Sequence, residues 1–118
     1  AAPYTKDTSN LLDEKHFNKM KKNSIFINVS RGKIVKVNAL LKNNLYLKFR
    51  GIGLDVTNPE PLPQNHKLNN IKNIIVSNHS AGLSDKNRER SNKLVIKNIK
   101  RFLKNKPLLN VVDKIKGY

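Results

Sequence analysis

The chain has 118 residues, with 24 Lys and Arg against 8 Asp and Glu, a net charge of +16 and no cysteine. That length holds one domain or a piece of a larger protein, and not two full domains. The missing cysteines exclude a disulfide scaffold, a Cys-based zinc site and a thiol nucleophile, and 37% hydrophobic residues leave only a modest core.

The first predicted element is a helix capped by Asp13, with Glu14 in its first turn and Phe17 and Met20 apolar three apart. Lys21, Lys22 and Asn23 end it. Ser24 to Val29 is a β-rich, almost continuously apolar run, the pattern of a parallel strand covered on both faces. A second helix, capped by Asn38, is expected to hold Ala39, Leu40, Leu41 and Leu45. Gly51 to Val56 predicts another buried strand whose glycines admit close backbone approach. The loop that follows carries Pro59, Pro61 and Pro63, which stiffen it and exclude helix. Ile74 to Asn78 predicts a third strand. Asp85 to Lys104 predicts the longest helix, with Val95, Ile99, Phe102 and Leu103 at i, i+4, i+7 and i+8. Pro107 closes that region, and Val111-Val112 is expected to form a last short strand.

Strands alternating with helices predict an α/β fold with a parallel sheet, and such sheets bind ligands at the carboxyl ends of their strands. Three groups of interest fall at or just after those ends: Arg31 after the first strand, Asp55 and Glu60 after the second, and His79 after the third. An arginine, a carboxylate and an imidazole brought to one edge can do acid–base chemistry on an anionic substrate.

The positive charge raises nucleic acid as a partner. Yet Lys (19), Asn (18) and Ile (10) all use A/T-rich codons, the cations are spread over every element, and only 6% of residues are aromatic. Base composition therefore accounts for the charge better than a nucleic-acid surface does. No apolar run approaches the roughly 18 residues of a membrane span. No His/Asp/Glu spacing points to a metal site. His16, inside a predicted helix, and His66, in a polar loop, receive no role.

Three blocks stand in order: Asn28-Val29-Ser30-Arg31-Gly32, then Gly53-Leu54-Asp55-Val56 with Pro59-Glu60-Pro61-Leu62, then Asn78-His79-Ser80-Ala81-Gly82. Together with flanks from Pro3-Tyr4-Thr5 to Asp113, the sequence resembles the D-isomer-specific 2-hydroxyacid dehydrogenases, which include glyoxylate/hydroxypyruvate reductases. The resemblance implies the second half of a Rossmann-like parallel sheet over residues 1–83. It also implies a C-terminal crossover helix and tail over residues 84–118, returning to a substrate domain. The family's G-x-G-x-x-G turn is not among these residues, and the chain opens Ala-Ala-Pro-Tyr, so the expectation is a C-terminal fragment, inactive alone.

The resemblance further implies that Arg31 grips the substrate carboxylate and polarises its carbonyl. His79 would be the general acid/base and Glu60 its carboxylate partner, which favours the protonated imidazole. Asp55, Ser30, Thr5 and Ala81 would stand on the NAD or NADP side, with Arg31 and His79 also close to the cofactor. The implied substrate is a small 2-keto or 2-hydroxy acid. The implied setting is a cytoplasmic enzyme, homodimeric at full length, without membrane or nucleic-acid partners. A non-catalytic nucleotide sensor of the same family and a basic nucleic-acid-binding module are the alternatives. Departures from the family pattern are Asn78 where Pro is common before the histidine, Asn23 where Gly is common, and Ser30 where Ala is usual.

Overall fold

The computed structural model describes residues 2–118. It forms two compact units, one running to Ser80 and the other from Ala81 to Tyr118. That division falls three residues before the boundary expected from the sequence.

The first unit holds helix α1 (Glu14–Lys19), strand β1 (Ile25–Asn28), helix α2 (Val37–Leu41), strand β2 (Gly51–Leu54) and strand β3 (Ile74–Val76). The three strands form one parallel sheet in the order β1-β2-β3, with Phe26 opposite Ile52 and Ile52 opposite Ile74. Asp13 caps α1 as expected, its carboxylate accepting from the Lys15 and His16 backbone N–H groups. His16 Nδ1 lies 2.7 Å from Asp13 Oδ1. Because an ionised carboxylate only accepts, that contact puts the ring proton on Nδ1, and the 3.5 Å approach of the Asp13 N–H to the same nitrogen adds little. Asn23 takes the left-handed conformation that glycine usually supplies, with φ of 60°.

Four details differ from the sequence expectations. Asn38 lies inside α2, whose first turn starts after Lys36 with no side-chain cap. The helical path also stops at Leu41. Asn43 and Asn44 turn left-handed (φ of 52° and 55°), so Leu45 sits in the following 3-10 turn. The Asn73 side chain stabilises the loop after that turn by donating to the Tyr46 and Phe49 carbonyls at 2.9 and 3.0 Å. Thirdly, residues 111 and 112 form no strand. Lastly, the sheet is covered on one face only. Phe26, Ile52, Leu54 and Ile74 pack with Phe17 of α1 and with Val37, Ala39 and Leu40 of α2. Ile25, Ile27 and Ile75, which alternate with them along the strands, are 58%, 64% and 73% exposed.

The core centres on three aromatic rings. Phe17 stands edge-on to Phe26 and to Phe49, with centroids 5.2 and 6.0 Å away. Such pairs add about 0.5–1.5 kcal/mol beyond their buried area.

The second unit is built on helix α3 (Asn87–Phe102), two residues shorter at each end than predicted. Asn98 ties a returning segment to this helix through a pair of hydrogen bonds with the Leu109 backbone, at 3.1 and 2.9 Å. Among the described residues, no helix is long and apolar enough to cross a membrane.

Candidate active site

The parallel register brings the ends of β1, β2 and β3 to one edge, and the polar residues lie in the segments that leave it. After β1 the chain turns on the buried Asn28 side chain. Its Oδ1 accepts from the Ser30 N–H at 3.1 Å and the Ser30 hydroxyl at 2.7 Å, and its Nδ2 donates to the Arg31 carbonyl at 3.2 Å. Arg31 itself is extended and exposed, and its guanidinium donates back to the Ser30 carbonyl at 2.7 Å.

Gly32 follows in a 3-10 turn and touches the loop after β2. A Cβ on Gly32 would lie 1.8 Å from the Thr57 carbonyl oxygen, so only a glycine lets the two loops meet. Thr57 is itself buried, and its hydroxyl donates to the Pro59 carbonyl at 2.8 Å. The loop then runs through cis peptides at Asn58-Pro59 and Glu60-Pro61.

Asp55 is the hub of the edge. It is 5% exposed. Its backbone N–H donates to the Asn28 carbonyl at 3.0 Å, and its carbonyl accepts from the His79 N–H at 2.9 Å. One carboxylate oxygen accepts from the Ser77 hydroxyl at 2.6 Å and the Ser80 N–H at 2.9 Å. These donors offset the burial of a charge that would otherwise be costly.

His79 has φ of 52°, the left-handed region that a residue with a Cβ seldom occupies. The turn aims its ring at the loop after β2, where Nδ1 lies 2.5 Å from Glu60 Oε1. The carboxylate acceptor places the proton on Nδ1 and leaves Nε2 as the nitrogen that can exchange a proton with a substrate. Both side chains are partly open to water, 45% exposed for His79 and 40% for Glu60, so the pair contributes little to folding stability.

Two clefts share Glu60. One, of about 490 Å³, is lined by Asp55, Thr57, Glu60, Pro61, Ser77 and His79, among others. The second, of about 430 Å³, is lined by Tyr4, Arg31, Gly32, Lys33, Asn58 and Glu60, among others. The structure thus brings together Asp55, Glu60 and His79, and sets Arg31 with Glu60. Ser30 is engaged in its own turn. The Thr5 hydroxyl pairs with Thr8, accepting from its N–H at 3.2 Å, and lines neither cleft, although the neighbouring Tyr4 does. Ala81 opens the second unit in an exposed turn. His16 and His66 both serve local backbone, the latter accepting from the Leu68 N–H at 3.3 Å. No cluster of three metal-ligating side chains occurs among the described residues.

Sequence reasoning gave no role to Asn28, Gly32, Tyr4, Thr57 or Ser77. One signal was available for Asn28, a polar residue ending an apolar strand.

The family model for the NAD binding domain of D-isomer specific 2-hydroxyacid dehydrogenases matches residues 1–81. A human glyoxylate reductase/hydroxypyruvate reductase is 35% identical over 108 residues, which is 92% of this chain and 33% of that protein. A glyoxylate reductase of Thermococcus litoralis is 38% identical over 112 residues, 95% of this chain and 34% of that protein. Among solved structures, a D-isomer specific 2-hydroxyacid dehydrogenase from Xanthobacter autotrophicus Py2, in complex with NADPH and MES, superposes with a TM-score of 0.86. It is 30% identical, covering 99% of this chain and 48% of the other. An NADPH-dependent glyoxylate/hydroxypyruvate reductase from Sinorhizobium meliloti, in complex with NADP and sulfate, gives 0.84 at 31% identity, covering 99% of this chain and 38% of the other. The chain spans about a third of the length of these curated relatives. Its three-stranded parallel sheet is Rossmann-like, and the chain belongs to the D-isomer specific 2-hydroxyacid dehydrogenases, in the region of their NAD-binding domain.

Proposed function

We propose that these residues supply the acid–base edge of an NAD(P)-dependent oxidoreductase that interconverts a small 2-keto acid, of the glyoxylate or hydroxypyruvate kind, and the D-2-hydroxy acid. The observation that carries this reading is the 2.5 Å contact between Glu60 and His79 at the carboxyl edge of the sheet, in a cleft with the buried Asp55.

The donor set suits the nicotinamide end of the cofactor. Asp55 is a carboxylate held at the sheet edge, able to meet an amide N–H, and the backbone turn at Ser30 follows the end of β1, while Ala81 would stand on the cofactor side as the family resemblance implies. Thr5 would lie on the cofactor side through its turn. No G-x-G-x-x-G turn stands in the 118 residues, so the pyrophosphate is assigned to none of them.

When bound, the reduced cofactor supplies the hydride that reaches the carbonyl carbon of the keto acid. The carbonyl electrons move onto oxygen, and that oxygen takes the proton from His79 Nε2. Glu60 fixes the ring tautomer and offsets the imidazolium charge. Arg31, permanently charged and beside Glu60 in the second cleft, holds the substrate carboxylate. In the reverse direction His79 takes the hydroxyl proton.

The test follows NADH and NADPH oxidation with glyoxylate and with hydroxypyruvate, using the longest native protein that contains these residues. Oxidation is expected in the native protein, and its loss in Arg31→Gln and His79→Asn. Absence of oxidation with any 2-keto acid, or full activity without His79, refutes the reading. The 118 residues alone are expected to be inactive, since none is assigned to the pyrophosphate.

A further inference from the structure

We infer that Ser77 is a positioning residue for this edge: its hydroxyl clamps the Asp55 carboxylate and thereby holds the left-handed turn that presents His79 to Glu60. The functional part of this inference rests on the reading just given, while the clamp itself stands on geometry. Residues 77–80 wrap around Asp55 through three bonds. The Ser77 hydroxyl reaches Oδ1 at 2.6 Å, the Ser80 N–H reaches the same oxygen at 2.9 Å, and the His79 N–H reaches the Asp55 carbonyl at 2.9 Å.

His79 lies between the two donors that share Oδ1, at φ of 52°. An unfavourable backbone conformation persists only where its surroundings over-determine it. Here the over-determination comes from Asp55. If Ser77 is removed, Oδ1 loses one of its donors, the carboxylate gains rotational freedom, and the Ser80 N–H loses a fixed acceptor. His79 can then relax toward an ordinary φ and swing its ring away from Glu60. Ser77 touches neither Glu60 nor the His79 ring through any hydrogen bond described, so its influence is indirect.

The experiment measures backbone amide hydrogen exchange in this 118-residue chain, comparing Ser77→Ala, Ser77→Val and Ser77→Thr. Thr keeps the hydroxyl, and Val has the same shape without it. Ala and Val are expected to speed exchange at the His79 and Ser80 amides by about 10-fold or more, the scale of a lost hydrogen bond to a charged group. The Phe26 and Ile52 amides should be unchanged. Thr should restore the native rates at both turn amides. Equal rates in Val and Thr, or an equal rise at Phe26 and Ile52, would overturn the inference, the latter by making Ser77 a residue of general stability.

In the longest native protein containing this chain, Ser77→Ala should lower kcat for 2-keto acid reduction by about 10-fold with the keto-acid KM within about twofold, and Ser77→Thr should recover it. A KM-only effect overturns the positioning role. If exchange responds as stated while even the native protein oxidises no NAD(P)H, the reading of function has failed and the clamp has not.

Discussion

Substituting Gly32 by alanine tests whether the loops after β1 and β2 depend on contact between their backbones. Gly32 has no left-handed φ, so its backbone does not ask for glycine, and the only obstacle to a Cβ is space. The added carbon would lie 1.8 Å from the Thr57 oxygen, and ordinary contact begins at 3.4 Å, so the loops must part by about 1.6 Å. Neither side yields easily. The Gly32 turn is tied by the Asn28 bond to the Arg31 carbonyl and by the Asn10 N–H to the Lys33 carbonyl at 2.8 Å. Thr57 is held by its own hydroxyl and by the prolines that follow. Overpacking of this kind costs about 1–3 kcal/mol, and the rigidity of both sides puts Gly32→Ala near the upper end. For a chain of this size, about 3 kcal/mol corresponds to a fall in Tm of about 12 °C. Arg31 stands one residue before Gly32 and Glu60 three residues after Thr57. The same opening therefore separates the two groups that share the second cleft, and a displacement above 1 Å is expected to lower turnover by about 100-fold in the native protein. Thermal melts followed by far-ultraviolet circular dichroism, with Gly51→Ala as control, decide the matter. A Cβ on Gly51 meets nothing within 4 Å. A Gly32→Ala melt within about 2 °C of the control would refute the steric argument.

Further predictions concern the histidine turn, the core and the first cap. His79→Asn should fold with a Tm within about 3 °C of native, because Asn tolerates the left-handed region and the lost pair is exposed. His79→Val should be less stable by about 1–2 kcal/mol in urea titrations. Phe17→Ala removes a fully buried ring that touches Phe26 and Phe49, and should cost about 3–5 kcal/mol, read from the shift of the urea midpoint. The Asp13 carboxyl is held below its ordinary value of 3.8, first by the His16 side chain and then by the His16 and Lys15 backbone N–H groups. A carboxyl depressed in the folded chain stabilises it above 3.8, and that contribution disappears as pH falls through the lowered folded value. Asp13→Asn keeps a capping oxygen without the titration, so its stability deficit relative to native should shrink as pH is lowered past 3.8. A deficit independent of pH would show that the carboxylate charge contributes nothing.

What the sequence made legible and what it hid divide along a physical line. Element types were readable because apolar periodicity and caps act over a few residues: Asp13, Asn23 and the three strands follow from neighbours within one turn. The charged groups were readable as well, since an arginine, an acid and a histidine at strand ends are visible by type alone. Hidden were the neutral groups that hold them. Ser77 matters because Asp55, 22 residues earlier, stands opposite it. Gly32 matters because Thr57 lies across from it, and neither distance is encoded locally. The same limit explains why the expected cover on both faces of the strands is not found. In the run Ser-Ile-Phe-Ile-Asn-Val one face carries Ile25, Ile27 and Val29 and the other Ser24, Phe26 and Asn28, and composition does not say which face this chain covers. In the structure Phe26 is buried while Ile25 and Ile27 stay exposed, since α1 and α2 supply apolar cover to one face alone. The left-handed backbone at His79 belongs with the hidden features. No local rule places a histidine there, and the conformation is sustained by the bond from its N–H to the Asp55 carbonyl and by the Ser80 contact one residue later. The His79 ring is therefore positioned by the residue that follows β2, while His79 itself is delivered by β3. For that reason, substitutions at Asp55 and Ser77 are expected to alter His79 more than substitutions at its chain neighbour Asn78, which donates no side-chain hydrogen bond to this network.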